Sequence, residues 1–140
     1  MDSTVVDEIV VEVVKPDDIV AARQAGHQLA RGLGFSLTDV TMIATAISEI
    51  ARNITSYAGS GEIHVTVQNR DGRRALVVRA EDDGPGIVDI DRALEDGYST
   101  GSGLGLGLPG ARRLMDEVTV ESVPGHGTVV EMWKWIPTGG

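Results

Sequence analysis

Apolar residues along this chain change period several times, and each change marks an element. Residues 9–14 are a short β-branched run, and Lys15-Pro16-Asp17-Asp18 then supplies the proline and acids that suit a first helical turn. The pattern predicts a strand at 9–14 and a helix over 17–32, with Gly34 ending it in the left-handed conformation. Ser36 or Thr38 caps a second predicted helix, which runs to about Tyr57 and stops at Gly59. From 62 to 68, Ile63, Val65 and Val67 alternate with polar neighbours. Arg70-Asp71-Gly72-Arg73 then holds the Asp-Gly pair favoured in tight hairpins, ahead of a returning strand at 75–80. A short helix at 89–96, a glycine-rich stretch at 97–110 and a helix at 111–116 follow. Two strands, 118–123 and 128–136, flank the turn Pro124-Gly125-His126-Gly127. This order predicts one domain over 1–140, with its core at about 8–136, built as a mixed sheet with helices over one face.

Composition narrows the function. A chain of 140 residues buries a core without staples, and its lack of cysteine removes disulfides, thiolate metal sites and a thiol nucleophile together. The formal net charge of -9 opposes attraction to nucleic acid or anionic lipid, and with aromatics at 4% there is little to stack on single-stranded bases. No partner of either kind, nucleic acid or membrane, is expected. Acid stands at Asp2, Asp7 and Glu8 where a secretory signal carries base, and no apolar run approaches the ~20 residues of a membrane span. A cytoplasmic protein is expected. None of this excludes a nucleotide, since backbone N–H groups and a metal hold a triphosphate locally.

Three segments carry candidate chemistry. At ~100° per residue, Thr45, Glu49, Asn53 and Ser56 fall within about 80° of one another on the second helix, apart from Ile43, Ile47, Ile50 and Ile54. A carboxylate and a carboxamide one turn apart suit a base and an oxygen ligand for Mg²⁺, against the plainer alternative of a solvated helix face. Asp82-Asp83-Gly84-Pro85-Gly86 sets an acid at the end of a buried strand, able to accept from a base's amino group; its alternative is a Pro-Gly turn with incidental acids. The run 101–110, Gly-Ser-Gly-Leu-Gly-Leu-Gly-Leu-Pro-Gly, leads into a helix and offers successive N–H groups to phosphates. It contains G-x-G-x-x-G at 105–110, but with no preceding strand it is not a Rossmann fingerprint.

Neither a Walker motif nor a His-Arg-Asp catalytic loop is present. His27, His64 and His126 lie on a helix, a strand and a turn, which predicts no histidine-based metal or catalytic cluster. Trp133 and Trp135 share a face of the last strand, with core packing expected and a partner surface as the alternative.

Taken in order, Glu49-x-x-x-Asn53, Asp82-x-Gly84-x-Gly86 and Gly103-x-Gly105-x-Gly107 resemble the N box, first glycine box and lid of the GHKL ATPase and kinase superfamily. The segments 48–54, 81–87 and 95–117 resemble in particular its stressosome switch kinases. The resemblance implies the Bergerat fold, an α+β two-layer sandwich with a mixed, mostly antiparallel sheet and helices on one face. It implies ATP and Mg²⁺ as cofactors, Asp82 on the adenine amino group, Gly86 and Ile87 against the base, and Asn53 on the metal. Gly103, Leu104, Gly105 and Gly107 would bind phosphates, Thr128 would place a hydroxyl near adenine, and Glu49 would be the general base. Such kinases phosphorylate a serine or threonine of a STAS-domain protein and then activate a PP2C-type phosphatase.

Arg52, Arg112 and Arg113 are further candidates for charge near the γ-phosphate, the last two being more plainly surface arginines. Three rivals stand beside the switch kinase: an anti-sigma-factor kinase that sequesters a sigma factor, a nonenzymatic ATP-dependent binding module, and a histidine-kinase catalytic domain. The run 108–117 favours the switch kinase over the first, Glu49 argues against the second, and the chain has no room for the phosphoacceptor hairpin of the third.

Overall fold

A computed structural model describes residues 5–84, 107–123 and 125–137. The expected helix at 89–96, and Gly86, Ile87, Gly103, Leu104 and Gly105, lie outside the described residues. Five strands, β1 (Val5–Val13), β2 (Gly61–Arg70), β3 (Arg73–Asp82), β4 (Glu117–Val123) and β5 (Gly127–Trp135), form one sheet in the order β1-β2-β3-β5-β4. All four pairings are antiparallel, so no parallel component of the expected mixed sheet occurs among the described strands. Helices α1 (Pro16–Gly32), α2 (Leu37–Asn53) and α3 (Gly107–Leu114) accompany the sheet, with α2 packed against both α1 and α3.

Local chemistry fixes the element ends. At the start of α1, Asp18 Oδ2 accepts from the Val14 and Lys15 N–H groups at 2.9 and 3.1 Å. These donors, Val14 first, hold the Asp18 carboxyl below its ordinary value. Their stabilising effect is therefore present above the unfolded carboxyl's pKa and is lost as pH falls through the folded one. Ser36, not Thr38, caps α2: its Oγ accepts from Asp39 N at 3.1 Å. The β2–β3 hairpin turns on Asp71 and Gly72, at φ 55° and 80°, the two positive values that the Asp-Gly pair predicts. Where helix was expected to continue to Tyr57, the chain widens into a π turn over Ile54–Ala58, closed by Gly59 N donating to Ile54 O at 2.8 Å.

Alternation divides the sheet. Ile63, Val65, Val67, Leu76, Val78, Ala80, Val130 and Met132 meet Ile43, Ile47, Ile50 and Ala51 of α2 in the main core. The opposite face holds a second cluster of Ala75, Val77 and Trp133, with Trp135 packed against it. Both tryptophans thus pack, but away from the helices, and Arg70 Cζ stacks 3.7 Å over the Trp133 ring while Arg73 Cζ lies 4.5 Å over that of Trp135.

Ile47 is fully buried at the meeting of α1 and α2. Ile47→Ala should cost about 2–5 kcal/mol, read as a lower urea midpoint at an unchanged slope.

Candidate functional site

Two of the predicted residues, Asp82 and Thr128, meet at the C-terminal end of the central strand. Asp82 closes β3, with Gly61 of β2 as its Cα partner on one side and Thr128 of β5 on the other. Side chains are nearly excluded around it. A Cβ at Gly127 would collide with the Asp82 carbonyl oxygen and come within 3.0 Å of Asp83 Cα. One at Gly61 would collide with the Glu81 carbonyl oxygen and sit 3.1 Å from Asp82 Cβ. A third, at Gly84, would lie 2.6 Å from Ala58 Cβ and 3.1 Å from Asp82 Oδ1. The acid therefore stands in a cradle of bare backbone, where strand and loop pack directly against it.

Hydrogen bonds set the two side chains at its centre. Asp82 Oδ1 accepts from Gly84 N at 2.9 Å, which folds the loop back under the carboxylate. Thr128, 8% exposed, has its hydroxyl 2.9 Å from Ser122 Oγ, and Ser122 in turn donates to Gly127 O at 3.1 Å. With the serine hydrogen directed there, Thr128 donates to Ser122 and keeps its lone pairs as acceptors.

Helix α2 reaches this cradle through its π turn. Ile54, directly after Asn53, lies 3.0 Å from the Cβ position of Gly61, and Ala58 abuts Gly84. The extra residue of the π turn thus presses the end of α2 against the Asp82 loop. Asn53 is the last residue of α2, and Glu49 stands one turn earlier with its side chain 13% exposed. Arg52 Nη1 donates to Glu49 Oε1 at 2.8 Å, so the carboxylate is partnered by a cation of its own helix. An amide oxygen at Asn53 matches the hard-oxygen preference of Mg²⁺, and the Asp82 carboxylate can accept from an adenine amino group, so the residues present fit both groups.

Gly107 opens α3, at the point where the glycine-rich run becomes helix. Arg112 and Arg113, on the same helix, are exposed, in keeping with their surface reading.

Three features escaped the sequence. Ser122 joins the site because the β4–β5 hairpin pairs it with Thr128, a register the Pro124–Gly127 turn would have revealed. The crowding at Gly61 and Gly127 depends on strands distant in sequence. On the opposite sheet face, Glu62, His64 and Glu81 bring three possible ligand atoms within 4.8 Å of one another, although the histidines look isolated along the chain. Glu62 and Glu81 also line a concavity of about 500 Å³ with Glu12, Val14, Ser60, Gly61, Asp82 and Asp83. Asp82 and Gly61 line this concavity as well as the cradle, and its five carboxylates oppose a bare triphosphate.

Residues 38–138 match the family of histidine kinase-, DNA gyrase B-, and HSP90-like ATPases, and the chain belongs to that family. Among individual proteins it is similar to the serine/threonine-protein kinase RsbT of Bacillus subtilis, 50% identical over 93% of this chain and 98% of the kinase. It is also similar to the anti-sigma F factors of Pasteuria penetrans, 36% identical over 81% of this chain and 79% of that protein, and of Thermoanaerobacter sp., 30% identical over 82% and 83%.

Gly127 sits at φ 111° against the Asp82 backbone. Gly127→Ala should destabilise the fold by more than the about 1–3 kcal/mol of backbone strain, because a collision with Asp82 is added, whereas Gly125→Ala, at φ 84° with open space around it, should cost the strain alone. Paired denaturation curves of the two variants check this.

Proposed function

We propose that this chain is a serine/threonine protein kinase that uses Mg-ATP to phosphorylate a STAS-domain antagonist or scaffold protein in a cytoplasmic partner-switching module. On release it activates a PP2C-type phosphatase. The observation that carries the proposal is the pairing of Asp82 with Thr128 at the strand ends, with the Glu49 and Asn53 helix pressed against the same loop. Similarity to RsbT over almost the whole of both chains supports the choice of activity.

Each residue has one task. Asp82 accepts the adenine amino group, Thr128 adds a hydroxyl beside it, and Gly86 and Ile87 lie against the base. Asn53 ligates Mg²⁺, which neutralises phosphate charge, while Gly103, Leu104, Gly105 and Gly107 cradle the phosphates with backbone N–H groups. Glu49 accepts the proton of the incoming serine or threonine hydroxyl. Phosphoryl transfer asks mainly for position and charge neutralisation, and this arrangement supplies both.

A second reading follows from the anti-sigma F factor relatives at 30% and 36% identity: ATP-dependent binding of a sigma factor. Pull-down against purified STAS-domain proteins and sigma factors of the same genome separates the two, and capture of a sigma factor alone favours the second.

The residue tasks are checked by titrating ATP and timing radiolabelled transfer to a STAS-domain protein. Asp82→Asn should fold and bind ATP on the order of 10- to 100-fold more weakly, the value of one hydrogen bond to a charged group. Asn53→Ala should lose Mg-ATP affinity and transfer together. Glu49→Gln should keep the nucleotide and lose about 10²–10⁴-fold in rate. Transfer by Glu49→Gln at the wild-type rate contradicts the base assignment.

A further inference from the structure

Beside the base stands a cation on the same helix. Arg52 follows Glu49 by three residues on α2, and its Nη1 lies 2.8 Å from Glu49 Oε1. The pair is lopsided: the Glu49 side chain is 13% exposed and that of Arg52 is 45% exposed. An i,i+3 pair on an open helix surface contributes little, so helix stability is a weak reason for it. Orientation is a stronger one. A glutamate has three rotatable side-chain bonds, and a base works only when its oxygen meets the incoming hydroxyl within about 3 Å. A guanidinium donating to one carboxylate oxygen restricts that freedom through a short, charge-assisted bond. Ordinary helical hydrogen bonding fixes the Arg52 backbone, and Thr55 Oγ1 adds a bond to its carbonyl at 3.0 Å.

We propose that Arg52 is a positioning residue for phosphoryl transfer: its guanidinium holds the Glu49 carboxylate in the orientation that receives the hydroxyl proton. The inference rests on Glu49 being the base. In the step, the substrate oxygen bonds to the γ-phosphorus, and the bond from that phosphorus to the β–γ bridging oxygen breaks, its electron pair leaving with ADP. The hydroxyl proton passes to the Glu49 carboxylate. Arg52 makes and breaks no covalent bond. On this proposal Arg52 acts through Glu49 and not on the phosphates.

The test is a four-cornered comparison on the full chain, using a STAS-domain protein that the wild type phosphorylates. Arg52→Met removes the charge at similar length, Arg52→Lys keeps the charge without the planar fork, and each is placed alone and with Glu49→Gln. Arg52→Met should lower kcat about 10- to 100-fold, the size expected of a misplaced catalytic group, with ATP affinity and thermal midpoint nearly unchanged. Arg52→Lys should fall between the two. In the Glu49→Gln background, Arg52→Met should change the rate by less than about twofold, because its effect passes through the carboxylate. Wild-type transfer by Arg52→Met overturns the proposal, as does a loss that multiplies with that of Glu49→Gln. Weakened ATP binding in Arg52→Met also overturns it and assigns the arginine to the phosphates. Glu49→Gln at full speed removes the base and this inference together; a slow Glu49→Gln beside a fast Arg52→Met removes the inference alone.

Discussion

The close approach of bare backbone to Asp82 is the constraint on which the rest of the site depends. Gly127 brings β5 against the Asp82 carbonyl, and Gly61 brings β2 against the neighbouring Glu81 carbonyl. Any side chain at either position forces the strands apart. With them would go the Asp82–Thr128 pairing and the seating of Ile54 and Ala58, through which α2 reaches the same loop. Strand register and the docking of the π turn thus share one packing condition at the end of the central strand.

The sheet separates two environments. On the helix side, apolar alternation builds the main core and ends in the cradle. On the other side, Trp133 is buried under Arg70, whose Nη1 also reaches Glu117 Oε1 at 3.2 Å, and acidic side chains gather toward β1. The two meet at Asp82 and Gly61, which line the acidic concavity as well as the cradle.

Period and turn chemistry made most elements legible. The Asp71-Gly72 turn, the Ser36 cap and the alternation of Ile63, Val65 and Val67 all express local preferences that tertiary packing did not oppose. Strands β2 and β3 each run two residues beyond expectation toward the hairpin, because pairing continues through Asn69, Arg70, Arg73 and Arg74 whatever their polarity. Helix α3 begins at Gly107 rather than at 111, with packing against α2 overriding the poor helix propensity of its glycines. The shared face of Trp133 and Trp135 followed from a period of two. Which face it was did not, since only the pairing of β5 with β3 sets Met132 inward and the tryptophans outward. Likewise the stripe of Glu49 and Asn53 could be read from helical spacing, whereas the Glu49–Arg52 bond depends on rotamers and the glycine cradle on strands far apart in sequence.

The central claim is that the nucleotide sits on the helix side of the sheet, at Asp82 and Thr128. Amide hydrogen exchange with and without a nonhydrolysable Mg-ATP analogue tests it most directly. The account predicts added protection at residues 82–84, at 127–128 and in the last turn of α2, with no change at Glu12 or Glu62. Protection confined to the acidic face, or exchange unaltered around Asp82 at saturating nucleotide, would contradict it.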